Sequence, residues 1–382
     1  MKKYRNLILV SAIILMAGQL FAQNKEIIGC FRYWDWKQNP ELFAPKNIPY
    51  DKLTMIYYSF FYPLESGEIV GMDPDADSHL LKGDGSIIKL AQPHGTKVIL
   101  SVGGWERSDN FPQVSADPSK RANFAHWCVK HIKQYGFDGI DIDWEFPGYK
   151  QHKGTDKDRV NFTIMLQTVR DSLNALGNKS GKYYPLTASL PAAASHLTDI
   201  EVQKVASIVD YINIMTYDLF GPWGKISNHN SALYGPAQGD SARCLDGAFR
   251  LYHEVHNAPA EKINLCASFF CYAYADCNEI YGGHKGADTT LFAKGQDLFY
   301  SQIAKKMDQF ERRWDSKAQA PYLVSKTHNT LVSLDDEESV ALKAEYVIKN
   351  NAAGIIIWPL MGDYLNNGKT PLLDAIHRKF FR

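Results

Sequence analysis

Apolar residues in this chain follow two spacings that take turns. From Glu26 onward, short and nearly unbroken apolar runs alternate with longer stretches in which apolar residues recur at helical spacing. The runs predict strands at Ile27–Tyr33, Leu53–Phe60, Lys97–Val102, Phe137–Glu145, Tyr184–Leu190, Val209–Tyr217, Ile263–Phe270 and Gly354–Trp358. Between them lie predicted helices such as Asp117–Tyr135, with Pro118 at its first position behind Asp117, and Asp156–Leu176, which Gly177 ends. Strands apolar on both faces belong to a parallel sheet covered by helices, and eight such units close into an α/β fold, a (β/α)8 TIM barrel. An open doubly wound sheet is the alternative; it would carry a glycine-rich phosphate turn after its first strand, and Ile27–Trp36 has no such turn.

The rhythm breaks after the seventh strand. Tyr272–Lys326 holds a predicted helix, Leu298–Trp314, glycine-bearing loops at Gly282-Gly283-His284 and Gly295, and β-like Tyr322–Lys326, with Thr330–Leu334 beyond. This stretch, 272–330, is expected to be a small α+β insertion on the top face of the barrel. A helix over Asp335–Asn350 and the eighth strand then restore the pattern, so 23–382 forms one domain. Ahead of it, Met1–Ala22 opens with Lys2, Lys3 and Arg5 and runs apolar from Leu7 to Leu20, the pattern of a signal peptide over 1–22. The mature chain is therefore expected to be exported, secreted or periplasmic, with no membrane attachment after cleavage.

Charge narrows the partners. Lys and Arg number 42 against 42 Asp and Glu, which points away from nucleic acid and toward a neutral substrate. Aromatics at 13% suit a carbohydrate cleft, although large cores use them too. The six cysteines, at 30, 128, 244, 266, 271 and 277, fit apolar strands and helix faces better than a disulfide framework, so mostly free thiols are expected. No CxxC spacing with histidine suggests a metal site, and no cofactor is expected. A monomer is expected.

One predicted strand carries chemistry. In Phe137–Gly148 (FDGIDIDWEFPG), Asp141, Asp143 and Glu145 share a parity while Ile140, Ile142 and Trp144 take the other. A solvated edge would mix Lys, Thr or Ser among its outward residues, whereas carboxylates two apart repel with no structural return. The acids therefore point into a site. Carboxylates this close do not all ionise independently, so at least one should hold a proton near neutral pH, as a general acid needs.

With Asp138, these acids match the DxxDxDxE signature of glycoside hydrolase family 18, the chitinases and their relatives, which the chain resembles from its first strand to its last. The resemblance implies a barrel whose fourth strand bears the signature, with Glu145 as catalytic acid. Ser101-Val102-Gly103-Gly104-Trp105 resembles the family's SxGG motif, its glycines letting the backbone pass close under the acidic strand and Trp105 offering a stacking platform. Met215-Thr216-Tyr217-Asp218, with Trp223 after it, resembles MxYD and its continuation, while Trp358 resembles the tryptophan flooring the subsite of the reacting sugar. Met215, Asp218, Trp223 and Tyr58 are further expected sugar contacts. The seventh strand departs from the pattern: Cys266, Ser268, Cys271 and Tyr272 stand where relatives commonly carry glycine, proline and an arginine.

The resemblance implies hydrolysis of β-1,4-linked N-acetylglucosamine by a retaining, substrate-assisted route, in which the sugar's own acetamido group replaces a protein nucleophile. Glu145 would be acid and then base, Asp143 backed by Asp141 would hold the acetamido N–H, and Tyr217 its carbonyl oxygen; Asp138 would be structural. The alternatives are an endo-β-N-acetylglucosaminidase acting on N-glycans and a non-catalytic lectin. Retention of Glu145 weighs against the lectin.

Overall fold

The structure, a computed structural model, describes residues 25–293 and 295–381; the predicted signal peptide lies outside them. Parallel strands β1 (Glu26–Arg32), β2 (Met55–Pro63), β3 (Lys97–Gly103), β4 (Gly139–Asp143), β5 (Leu186–Pro191), β6 (Tyr211–Met215), β7 (Ile263–Ser268) and β8 (Gly354–Trp358) follow one another around a ring. β1 pairs with both β2 and β8, which closes it. Period-2 alternation then sorts each strand into two faces. On β4 the outward Ile140, Ile142 and Trp144 are fully buried, Trp144 stacking on Phe111 and meeting Phe162 edge-on, while the aspartates point into the barrel.

Helices cover the outside. α1 (Pro118–Tyr135) starts where Asp117 accepts from the N–H groups of Ser119 and Lys120, and stops at Gly136, whose φ of 87° closes the last turn. α2 (Asp158–Ser180) corrects the expected end at Gly177: it runs on to Gly181. A Cβ on Gly177 would stand 2.6 Å from the Lys182 carbonyl oxygen, so this glycine serves the close return of the outgoing chain rather than helix termination. Among the described residues no helix is long and apolar enough to cross a membrane. All six cysteines are buried and unpaired.

The insertion after β7 is a separate antiparallel sheet. Phe270–Ala275 continues from β7 and pairs with Leu298–Phe299 and with Thr330–Ser333, which leads through Ala320–Ser325 to Phe310–Asp315. The predicted helix over Leu298–Trp314 is therefore wrong in kind: Tyr300–Ala304 is one short α-helix, Met307–Gln309 a single 3-10 turn, and Phe310–Asp315 a strand. Its Glu, Arg and Arg favour helix in isolation, but pairing from Phe310↔Ser325 to Asp315↔Ala320 overrides that preference. Chain return at Gln319, with φ at 52°, makes the pairing possible. α3 (Glu337–Lys349), capped by Asp336, leads back to β8.

Candidate active site

The C-terminal ends of the barrel strands converge on a row of carboxyls. Asp141 lies deepest and is fully buried. It accepts hydrogen bonds from Ser101 Oγ (2.8 Å), Thr187 Oγ1 (2.6 Å), Ser189 Oγ (3.1 Å) and Asn213 Nδ2 (3.2 Å), donors supplied by β3, β5 and β6. Burial raises its pKa, and these donors pull it back. One pleat higher, Asp143 is also buried, yet its Oδ1 has no partner. Burial, then the charges of Glu145 and Asp141, hold its pKa far above the carboxylate range.

Glu145 stands just past the end of β4, on the rim. Its carboxyl is pushed up to about 8 by burial and then by the charge of Asp218, against the opposing backbone hydrogen bond of Trp105. Its backbone is fixed by Ser108 Oγ, which accepts from Glu145 N–H at 2.9 Å. Gly103 and Gly104 make the approach possible: their φ values are 125° and 85°, and a Cβ on Gly103 would fall 2.1 Å from the Asp143 carbonyl oxygen. Gly104 N–H donates to that same oxygen at 2.9 Å. Asp138 sits at the other end of the strand, away from the cleft, accepting from Val98 N–H at 2.9 Å.

Aromatic rings wall the space above. The Trp358 ring lies on the cleft floor, stacked with Phe60 at 5.7 Å and with Tyr217 at 6.5 Å between centroids. Burial lifts the Tyr217 phenol well above its ordinary pKa, so it stays a donor. Asp218, held at a φ of 53°, accepts from the Tyr272 hydroxyl; burial raises it to about 6 against that bond. Tyr272, at the position where an arginine is common, thus finds a partner in the cleft. Trp105 and Trp223 are 45% and 60% exposed, with Trp223 edge-on to Tyr272.

Two cavities meet at this row. One of about 420 Å³ is lined by Trp34, Phe60, Asp143 and Trp358; the other, of about 880 Å³, by Phe146, His196, Met215, Trp223 and Tyr272. Trp105, Glu145, Tyr217 and Asp218 line both. Of the residues expected here, Tyr58 is a correction: it is fully buried on the outer side of β2, packed on Phe31 and Phe61, with its hydroxyl donating to Asp77 at 2.7 Å. It touches no sugar site. Tyr33, Trp34 and Phe60 were missed, although Tyr33 and Trp34 stand just beyond the end of β1, the same rule that singled out Trp105 and Trp358; Phe60 lies within β2, three residues short of its end.

The model of glycosyl hydrolases family 18 matches residues 26–363. Chitinase A1 of Niallia circulans is 34% identical over 292 residues, 72% of this chain but 42% of its own length, so this chain spans under half of that relative. Chitinase B of Serratia marcescens is 28% identical, over 86% of this chain and 76% of its own. Among solved structures, chitinase ChiA74 from Bacillus thuringiensis superimposes with a TM-score of 0.82 at 27% identity, covering 94% of this chain and 70% of that one.

Proposed function

The chain belongs to glycosyl hydrolases family 18, and from that premise we propose that it cleaves chitin or chito-oligosaccharides at β-1,4 bonds between N-acetylglucosamine units, with retention of configuration. The observation that carries the proposal is a buried Glu145 at the rim, its carboxyl pushed up to about 8, above an Asp143 whose Oδ1 has no partner, in a cleft floored by Trp358. Export of the mature chain, 23–382, belongs to the same reading.

The reacting sugar lies on Trp358 with its glycosidic oxygen toward Glu145. Glu145 gives that oxygen its proton, the bond from C1 to oxygen breaks, and the acetamido carbonyl oxygen closes on C1 from the opposite face. The partnerless Oδ1 of Asp143 accepts the acetamido N–H, and its dipole faces the positive charge of the oxazolinium-like intermediate. The Tyr217 hydroxyl holds the carbonyl oxygen in line. Glu145, now a carboxylate, takes a proton from water as its oxygen attacks C1, which restores the acid and retains the configuration. Asp141 acts only through Asp143, its four hydrogen bonds keeping a negative charge under it.

Mass spectrometry of products from soluble chito-oligosaccharides tests this, with Glu145→Gln beside the wild type. The proposal expects cleavage by the wild type and a loss of about 10²- to 10⁴-fold in the variant. A wild type as inert as the variant would end it; binding without cleavage would favour a lectin, and cleavage of N-glycans alone an endo-β-N-acetylglucosaminidase.

A further inference from the structure

The two sides of the cleft are unequal, and the larger one continues. Of these two cavities, the 420 Å³ one is lined by Asp143 and Trp358, so the sugar whose C1 reacts lies there; the 880 Å³ cavity, which has Glu145 without them, receives the leaving group. Another cavity, of about 710 Å³, adjoins it between the segment after β5 and the segment Gly235–Val255. Ala192, Ala193, His196 and Arg243 line both spaces and form the passage between them.

Arg243 is the odd member of that passage. Its Nε is buried without a hydrogen-bond partner, and among the described residues no ion pair engages its guanidinium. The planar group lies 4.8 Å above the Phe220 ring, which fixes its direction while leaving its donors free. Buried polar atoms without partners are few in folded proteins and call for a reason. The other arginine lining the adjoining cavity has its partners: Arg250 pairs with Glu254 at 3.1 Å and with Asp246 at 4.0 Å. Three carboxylates line the cavity, Asp240, Asp246 and Glu254, and they would repel an anionic chain.

Building on the proposed function, we propose that Arg243 is a specificity residue: it donates to the hydroxyl and acetamido oxygens of uncharged N-acetylglucosamine units on the leaving-group side and guides a long substrate from the cleft into the adjoining cavity. Short substrates end before reaching it. Long ones gain its hydrogen bonds, so the enzyme favours chains extended toward the reducing end.

The test compares kcat/KM of wild type, Arg243→Ala and Arg243→Gln on chitotriose and chitohexaose, with the thermal midpoint of each protein. The expected result is a loss of about tenfold on the hexamer for Arg243→Ala, a smaller loss for Arg243→Gln, which keeps a donor, and a change within about twofold on the trimer. Equal losses at both lengths, with or without a lowered midpoint, would make Arg243 merely structural and overturn the inference, as would no loss on the hexamer. Inertness of the wild type on both substrates would instead overturn the proposed function, and this inference with it.

Discussion

Asp141 and Asp143 leave the same face of one strand two positions apart, yet they meet opposite surroundings. Around Asp141 three other strands aim four donors at one carboxyl, and its oxygens are satisfied. Around Asp143 the donors stop. One oxygen is left bare, and where donors restrain the rise that burial gives Asp141, Asp143 is lifted far above the carboxylate range and Glu145 above it to about 8. The lower layer holds its carboxyl in place by bonding it; the upper layer leaves a carboxyl oxygen unbonded, as the proposed reaction needs. Height along one strand, in steps of a single pleat, separates scaffold from chemistry.

Substitutions at the two levels should part in kind. Asp143→Asn is expected to lower kcat by about 10²- to 10³-fold, the scale of losing one electrostatic stabiliser. Its thermal midpoint at pH 7 should hold or rise: a carboxyl whose folded pKa is raised destabilises the fold once pH passes its ordinary value near 3.9, and Asn removes that penalty. Asp141→Asn, by contrast, turns an acceptor of four bonds into a group with a donor that faces other donors. It should cost about 1–3 kcal/mol of stability, read by denaturant unfolding. A stable Asp141→Asn beside an unstable Asp143→Asn would reverse the comparison.

Smaller effects sharpen it. With Glu145 as the proposed acid, kcat/KM should fall as pH rises through about 8 and its proton is lost. The Asp218 charge helps keep that proton on, so Asp218→Asn should move the alkaline limb to lower pH, seen in a pH profile of kcat/KM. Least affected is Tyr58→Phe, on the outer face of β2, two strands away: about 1 kcal/mol less stable from the lost bond to Asp77, with kcat and KM unchanged.

What the sequence made legible was local. Parity alone placed Asp141 and Asp143 inside and Ile140 and Ile142 outside, and strand ends located Trp105, Tyr217 and Trp358. Parity failed on β2, where Tyr57 and Tyr58 are adjacent in a run apolar on both faces. The structure turns Tyr57 inward, donating to Thr187 at 2.9 Å, and Tyr58 outward, and nothing in MIYYSFFYP distinguishes them. The strand Phe310–Asp315 was hidden for another reason: its pairing with Ala320–Ser325 is a tertiary fact that opposes local preference. The donors on Asp141 come from residues 101, 187, 189 and 213, so the contrast with Asp143 was visible only once the barrel closed.

The proposed reaction rests on burial, with Asp218 beside it, keeping Glu145 protonated at neutral pH. Carboxyl ¹³C NMR of Glu145 across a pH titration of the intact protein measures it directly. A midpoint near 8 is the predicted result; a midpoint near 4.3, the ordinary glutamate value, would contradict it.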